Sequence, residues 1–291
     1  MESLVSTEWL AAHLGEPGLL IFDASSHLPA VGRDARAEFA AAHIPGARFL
    51  DLASLRNTAS PVPNALPTGE QVARRLADLG YSPGNKVVIY DDSDVRTSSR
   101  AWFALRRVGI ASAVLDGGLG KWRGEVRELE SGEPEGGTPE TAQSLSASED
   151  LVRTKNDMLA NIASAAEQVI DARDAGRFTG ETIDTVHNLP GGHIPGARNL
   201  FFRDVYAEDG TFKSPTELRA AFSNANVDLG KPIVISCGSG VTASVLLFAL
   251  HLIGVDDAAL YDGSWSEWGA DPATPKETGA ARGLPPGAAS L

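Results

Sequence analysis

A single cysteine, Cys237, occurs in a chain of 291 residues, so neither an intrachain disulfide nor an all-cysteine metal site is open to it. It begins the run Cys237-Gly238-Ser239-Gly240-Val241-Thr242, which joins an apolar β-branched stretch to a segment that is apolar on most faces. A strand-to-helix loop of this kind turns successive backbone N–H groups toward one point, with the positive end of the helix behind them. Such an environment favours a thiolate over a thiol. The same donors stabilise a persulfide anion. A cysteine beside a strand is often an inert core residue, but the two glycines in the turn favour a nucleophile that forms a covalent intermediate. Phosphoryl transfer on such a loop calls for an arginine clamp six positions after the cysteine. That position is Ala243, followed by Ser244, and the clamp is missing. A redox sensor would need an outside thiol, because the chain has no second cysteine to resolve a sulfenic acid.

The elements that position this loop are written twice. His43-Ile44-Pro45-Gly46-Ala47-Arg48 returns 150 residues later as His193-Ile194-Pro195-Gly196-Ala197-Arg198. Phe22-Asp23-Ala24-Ser25 is matched by Ile170-Asp171-Ala172-Arg173, and Asp116-Gly117-Gly118 with Trp122 by Asp262-Gly263-Ser264 with Trp268. A repeat of this length is a duplicated domain, not a solenoid unit. The expected organisation is a domain over 1–124, a linker over 125–144 rich in glycine, proline and acids, a second domain over 145–278, and a mobile tail over 279–291. In each copy short β-rich runs alternate with helical patterns: 86–90 before 98–108, and 232–236 before 242–253. That alternation predicts an α/β fold, each domain a mainly parallel sheet flanked by helices. Gly109 and Gly254 suit the left-handed position that ends the two helices. Further strands are expected at 113–115 and 258–261.

Duplication provides an internal control. His43 and His193 occur in both copies and are expected to bond a turn. Cys237 aligns with Asp91, so only the second copy is expected to be active. Trp102, Trp122, Trp265 and Trp268 are expected in the core or the domain interface, Arg173 in an ion pair with Asp171, and the acids from Glu125 to Glu140 in a solvated linker.

Composition narrows the partners. With 25 Lys and Arg against 38 Asp and Glu the formal charge is −13, which disfavours a general grip on nucleic acid or anionic lipid. A 43% hydrophobic and 22% charged composition is that of a folded globular chain. The longest apolar stretches, such as Ala243 to Leu250, fall short of the roughly 18–20 residues of a membrane span. Acids near the N-terminus and the lone thiol lead to an expectation of a cytoplasmic protein.

The paired His-Ile-Pro-Gly-Ala motifs, Asp91 in place of a cysteine, and the Cys237–Thr242 loop together resemble the two-domain sulfurtransferases of the rhodanese superfamily, over nearly the whole chain. The resemblance implies two tandem rhodanese-like domains, an inactive first and a catalytic second, with the active site at their interface. It implies transfer of sulfane sulfur through a Cys237 persulfide, from a small-molecule sulfur donor to a thiol or cyanide acceptor or a thioredoxin-like protein, with no cofactor and no metal. By loop type the chain resembles the branch that uses 3-mercaptopyruvate. The thiosulfate-using branch, with arginine and lysine in the loop, is the alternative, and a persulfide carrier docking one protein acceptor is a second. Gly238, Gly240, Val241 and Thr242 would stabilise the anionic sulfur through their amides, Ser239 would bond that sulfur or relay a proton, and Arg177 matches the arginine that binds the donor's anionic group. Three places depart from the pattern. Val186, beside His187, stands where a second arginine is expected; Ala53 and Asn64 stand where an aspartate and a histidine would relay a proton. Asn64 could still donate a hydrogen bond, but neither it nor Asp51 is assigned a catalytic role.

Overall fold

β-Branched runs bounded by turns become strands in both halves. The computed structural model describes residues 1–132, 142 and 144–281. In the first half the strands are β1 (Leu4–Val5), β2 (Leu19–Asp23), β3 (Ala47–Phe49), β4 (Lys86–Tyr90) and β5 (Ala113–Leu115). The second half holds β6 (Val152–Arg153), β7 (Gln168–Asp171), β8 (Arg198–Asn199), β9 (Ile233–Ser236) and β10 (Ala259–Tyr261). They form two five-stranded sheets of identical topology, β1-β5-β4-β2-β3 and β6-β10-β9-β7-β8, with every ladder parallel. The α/β class and the two similar, mainly parallel domains are as expected. The two-residue edge strands β1 and β6 were not anticipated, since two residues are too few to show a period of two. Among the described residues no helix is long and apolar enough to cross a membrane.

Parallel sheets collect the carboxyl ends of their strands at one edge, where ligands bind in open α/β folds. The register of β7 and β9 sets Asp171 opposite Ser236, so Cys237 leaves the sheet beside the β7 end. The helix after it, Ala243–Leu252, is buried along its first eight residues. It packs on the equivalent helix of the first half, Ser98–Arg107, and Trp102 meets Phe248 edge-on at 4.8 Å. One apolar cluster accordingly runs through both domains, from Phe22 and Ile89 to Ile235 and Leu250. Both helices close on glycines with positive φ, 76° at Gly109 and 81° at Gly254, as the sequence led one to expect.

The domains exchange matching bonds. Asp116 Oδ1 accepts from Phe212 N at 2.8 Å, and Asp262 Oδ2 accepts from Leu66 N at 2.7 Å. Leu66 and Phe212 are related by the same register shift as the two aspartates, so the interface has pseudo-twofold symmetry. His43 and His193 are buried, stack on Phe39 and Phe178, and turn Nδ1 to the carbonyls of those same residues at 2.8 and 2.9 Å. Their role is structural in both copies.

The acids expected in a solvated linker begin by packing on the first domain. Glu125 Oε2 accepts from Thr7 Oγ1 at 2.7 Å, and Glu130 forms an antiparallel bridge with His43. Gly279, where the tail was expected to begin, donates to Thr179 O at 2.7 Å. Residues 133–141, 143 and 282–291, which make up most of the expected linker and tail, lie outside the described residues.

Candidate active site

Cys237 sits at the floor of a cavity of about 760 Å³ between the domains. The loop that carries it is held from outside by its carbonyls. Trp265 N donates to Cys237 O at 3.0 Å and Ser266 N to Gly238 O at 2.8 Å. Asn64 Nδ2 of the first domain donates to Ser239 O at 3.1 Å, while Gly240 O receives Arg100 Nη1 at 3.2 Å and Ser244 Oγ at 3.0 Å. With four successive carbonyls turned outward, the amides of Gly238 through Thr242 donate to no protein acceptor among the described residues. They are left to serve an anion beside the sulfur. Gly240 adopts φ 80°, a left-handed conformation that costs glycine little, and it does not line the cavity. Gly238, Ser239, Val241 and Thr242 do.

The first half shows the same loop filled from within. Asp91, at the place of Cys237, is buried; its Oδ1 accepts from Ser93 N and its Oδ2 from Ser98 N, both at 2.8 Å. Burial pushes this carboxyl up while those bonds pull it down. The amides that bind it are the counterparts of those at Ser239 and Ser244.

Arg177 lies in the short helix Ala175–Thr179, capped by Asp174, whose Oδ1 accepts the Arg177 amide at 3.0 Å. Its Nε is tied to Asp174 Oδ2 at 2.5 Å and its Nη1 stands 3.7 Å from Asp184 Oδ2, while Nη2 has no protein acceptor among the described residues. The guanidinium thus lines the cavity with one edge uncommitted. Val186, which also lines the cavity, provides no second cation. Asp51 and Ala53 do not line it; Asp51 accepts from the Ala53 amide.

Four residues were not singled out from sequence as parts of the site. Arg100 bridges Gly240 O, Asn64 O at 2.9 Å and Asp262 Oδ1 at 2.8 Å, locking the loop to the first domain. Its place in the second copy is Leu246, so comparison of the copies carried a signal for it. Asp262 completes that lock. Asp184, fully buried, accepts through Oδ1 from the amides of Val186 and His187 and meets His187 Nδ1 at 3.1 Å. Burial opposes its ionisation, but His187 and Arg177 outweigh burial and hold the carboxyl below its ordinary range. The His187 ring lies against Gly238, so close that a Cβ there would collide with its Cε1. Beneath this group Arg173 pairs with Asp171 as expected, through Nη2–Oδ2 at 2.6 Å, and lies 4.5 Å over the Trp265 ring.

The rhodanese-like domain model matches residues 6–125 and again 154–271. The chain belongs to the rhodanese family. Within it, a mouse 3-mercaptopyruvate sulfurtransferase is 40% identical over 273 residues, covering 91% of each chain. A thiosulfate sulfurtransferase of Cricetulus griseus is 38% identical over 275 residues with the same coverage. The crystal structure of SseA from Escherichia coli, described as a 3-mercaptopyruvate sulfotransferase, superposes with a TM-score of 0.81 at 36% identity, over 91% of this chain and 99% of that one. Rhodanese-family relatives using either donor are thus nearly equally similar, and the choice between donors rests on the site.

Proposed function

We propose that this sulfurtransferase takes sulfane sulfur from 3-mercaptopyruvate and delivers it, through a Cys237 persulfide, to a thiol or cyanide. The observation that carries this reading is the placement of charge around the sulfur. The loop side chains beside Cys237 are uncharged, and the Arg177 guanidinium stands on the cavity wall. In thiosulfate the anionic sulfonate is bonded directly to the attacked sulfur, so a site for it needs cations in the loop itself. In 3-mercaptopyruvate the carboxylate lies three bonds from the sulfur, a spacing suited to a cation on the wall.

Cys237 thiolate attacks the donor sulfur, pyruvate departs, and the outer sulfur is held by the amides of Gly238 through Thr242. Cyanide or a thiol, including that of a thioredoxin-like protein, then attacks the outer sulfur and returns Cys237 as thiolate. Ser239, which lines the cavity, carries the side-chain hydroxyl nearest in sequence to bond the transferring sulfur. A reducing cytoplasm, which keeps a lone thiol free, suits this cycle. The test is turnover of purified protein with each donor in turn, cyanide as acceptor, alongside Cys237→Ser. Pyruvate and thiocyanate formed preferentially from 3-mercaptopyruvate, and lost in the variant, support the reading. Preference for thiosulfate overturns the donor assignment, and equal inactivity of both proteins overturns the small-molecule enzyme.

A further inference from the structure

The attack on 3-mercaptopyruvate leaves a proton to be supplied. As Cys237 Sγ bonds to the donor sulfur the C–S bond breaks, and its electron pair stays on C3 as the enolate of pyruvate. The donor's thiol proton is lost to water, leaving the outer sulfur of the persulfide as an anion on the loop amides, and the enolate needs a proton of its own before it leaves as pyruvate. Asn64 cannot give one, since its amide is neutral and spent on Ser239 O. The Ser239 hydroxyl is too weak an acid at neutral pH. Imidazole is the side chain whose ordinary titration suits the task, and two imidazoles line the cavity, His27 and His187. His27 Nε2 is bonded to Glu38 at 3.0 Å, on the first domain. His187 lies against Gly238, the residue that follows the nucleophile.

We propose that His187, oriented by Asp184, is the general acid that protonates C3 of the departing pyruvate enolate. This rests on the 3-mercaptopyruvate reading. Three features carry it. Asp184, fully buried, fixes the ring through Nδ1, and the backbone bridge between Asp184 and Leu189 closes the loop that presents it. Nε2 has no protein partner among the described residues, and the side chain is 16% exposed, enough for a donor to reach it. No hydrogen bond joins the ring to Cys237, so Nε2 is left for the carbon that departs and not for the thiol. In the step, imidazolium gives its Nε2 proton to C3, becomes neutral imidazole, and is reprotonated from solvent. The charged and titratable groups that face it are Asp184 on its own loop, Arg173 at the β7 end, Asp174 and Arg177 at the short helix, and Cys237 below. His27 and Arg56 lie across the cavity.

His187→Ala tests the assignment, with 3-mercaptopyruvate and thiosulfate as donors and cyanide as acceptor. General acid catalysis is typically worth about 10²–10⁴-fold, so kcat with 3-mercaptopyruvate is expected to fall at least about 10²-fold with KM changed by less than about threefold. The alkaline limb of the kcat profile should vanish, and added imidazole should restore part of the rate. Loss with thiosulfate should be at least about tenfold smaller, because sulfite leaves with its electron pair and takes no proton. Asp184→Asn removes the carboxylate partner and should move the alkaline limb to lower pH. Equal losses with both donors, or a lost rate that imidazole does not restore, would assign His187 a structural part and overturn the proposal. A wild type that turns over 3-mercaptopyruvate, with a His187→Ala variant equally fast, overturns it alone. A wild type inactive with 3-mercaptopyruvate removes the donor reading and this step with it.

Discussion

Replacing Arg100 by methionine should loosen the active loop and the domain interface together. The Arg100 and Asp262 side chains are 7% and 12% exposed, so solvent screens their attraction little. The guanidinium serves Asp262 Oδ1, Asn64 O and Gly240 O, while Asp262 Oδ2 holds the Leu66 amide. Methionine fills most of the volume and leaves Asp262 as a buried charge without its cation. Loss of one partner of such a pair costs about 3–5 kcal/mol. Gly240 O keeps Ser244 Oγ, which places the expected loss near the lower end, about 3–4 kcal/mol. For a chain of this size that corresponds to a fall of roughly 6–12 °C in Tm. Urea unfolding and calorimetry of Arg100→Met, Asp262→Asn and the double variant measure it. In the double variant an asparagine Oδ1 can keep the Leu66 amide with no charge left over, so about half or more of the loss should return, with a coupling of about 2 kcal/mol. Activity should fall in Arg100→Met even where the protein is fully folded, since Gly240 is then held from one side only. An Arg100→Met protein within about 1 kcal/mol of wild type, or a double variant no more stable than the single, would refute the reasoning.

Gly238→Ala sets a methyl group where the His187 ring now lies and is expected to lower kcat with 3-mercaptopyruvate about tenfold or more with Cys237 still alkylated by iodoacetamide; steady-state kinetics and intact mass check it. Trp102→Ala removes the ring that meets Phe248 across the domains and should cost about 3–5 kcal/mol in denaturant unfolding. Asp23 has its carboxyl pushed up to about 6 by burial, against bonds from Ser25 and Tyr90, which a carbon NMR titration reads directly. Its folded value lies above its unfolded one, so its ionised form destabilises the fold above pH 6 and that penalty is relieved as pH falls from about 6 to about 4. At about 1.4 kcal/mol per unit the change approaches about 3 kcal/mol, and Asp23→Asn should lack it.

What the sequence disclosed is what is local or repeated. The Cys237 loop was legible because two glycines between a β-branched run and an apolar helix are contiguous, and the fold because the motifs recur in register. Arg100, Asp262 and Leu66 were not, since their bonds span 162 and 196 positions and nothing local marks an arginine in a helix as facing another domain. His187 was noticed only as the neighbour of Val186. Its meaning depends on the Asp184 turn bending the loop over Gly238, a tertiary contact with no periodic signature. The bonds of Glu125 and Glu130 to the first domain were hidden for the complementary reason, because acids in a glycine-rich stretch show no sign of the edge they pair with.

The two copies of the loop show how one backbone design serves two ends. In the first, the Asp91 carboxylate enters its own loop and takes the Ser93 and Ser98 amides, so the anion site is filled covalently and helps hold the fold. In the second, Cys237 is shorter in reach: the Ser239 amide stays open toward the cavity, and the Ser244 amide turns instead to Val241 O at 3.1 Å. A side chain that binds such amides cannot also offer them to a substrate, so exchange of aspartate for cysteine, more than any change in the surrounding sheet, separates a loop filled by its own side chain from one left open to a ligand. Restoring reactivity to the first copy would take more than Asp91→Cys. Asp92 and Asp94 occupy the places of Gly238 and Gly240, and the Asp92 carboxylate is paired with Arg33 and Arg123. Two acids beside a thiolate would raise the cost of its charge by repulsion. Asp91→Cys is accordingly expected to give a folded protein whose new thiol forms no persulfide at a rate comparable with Cys237, as intact mass after donor treatment in a Cys237→Ser background would show.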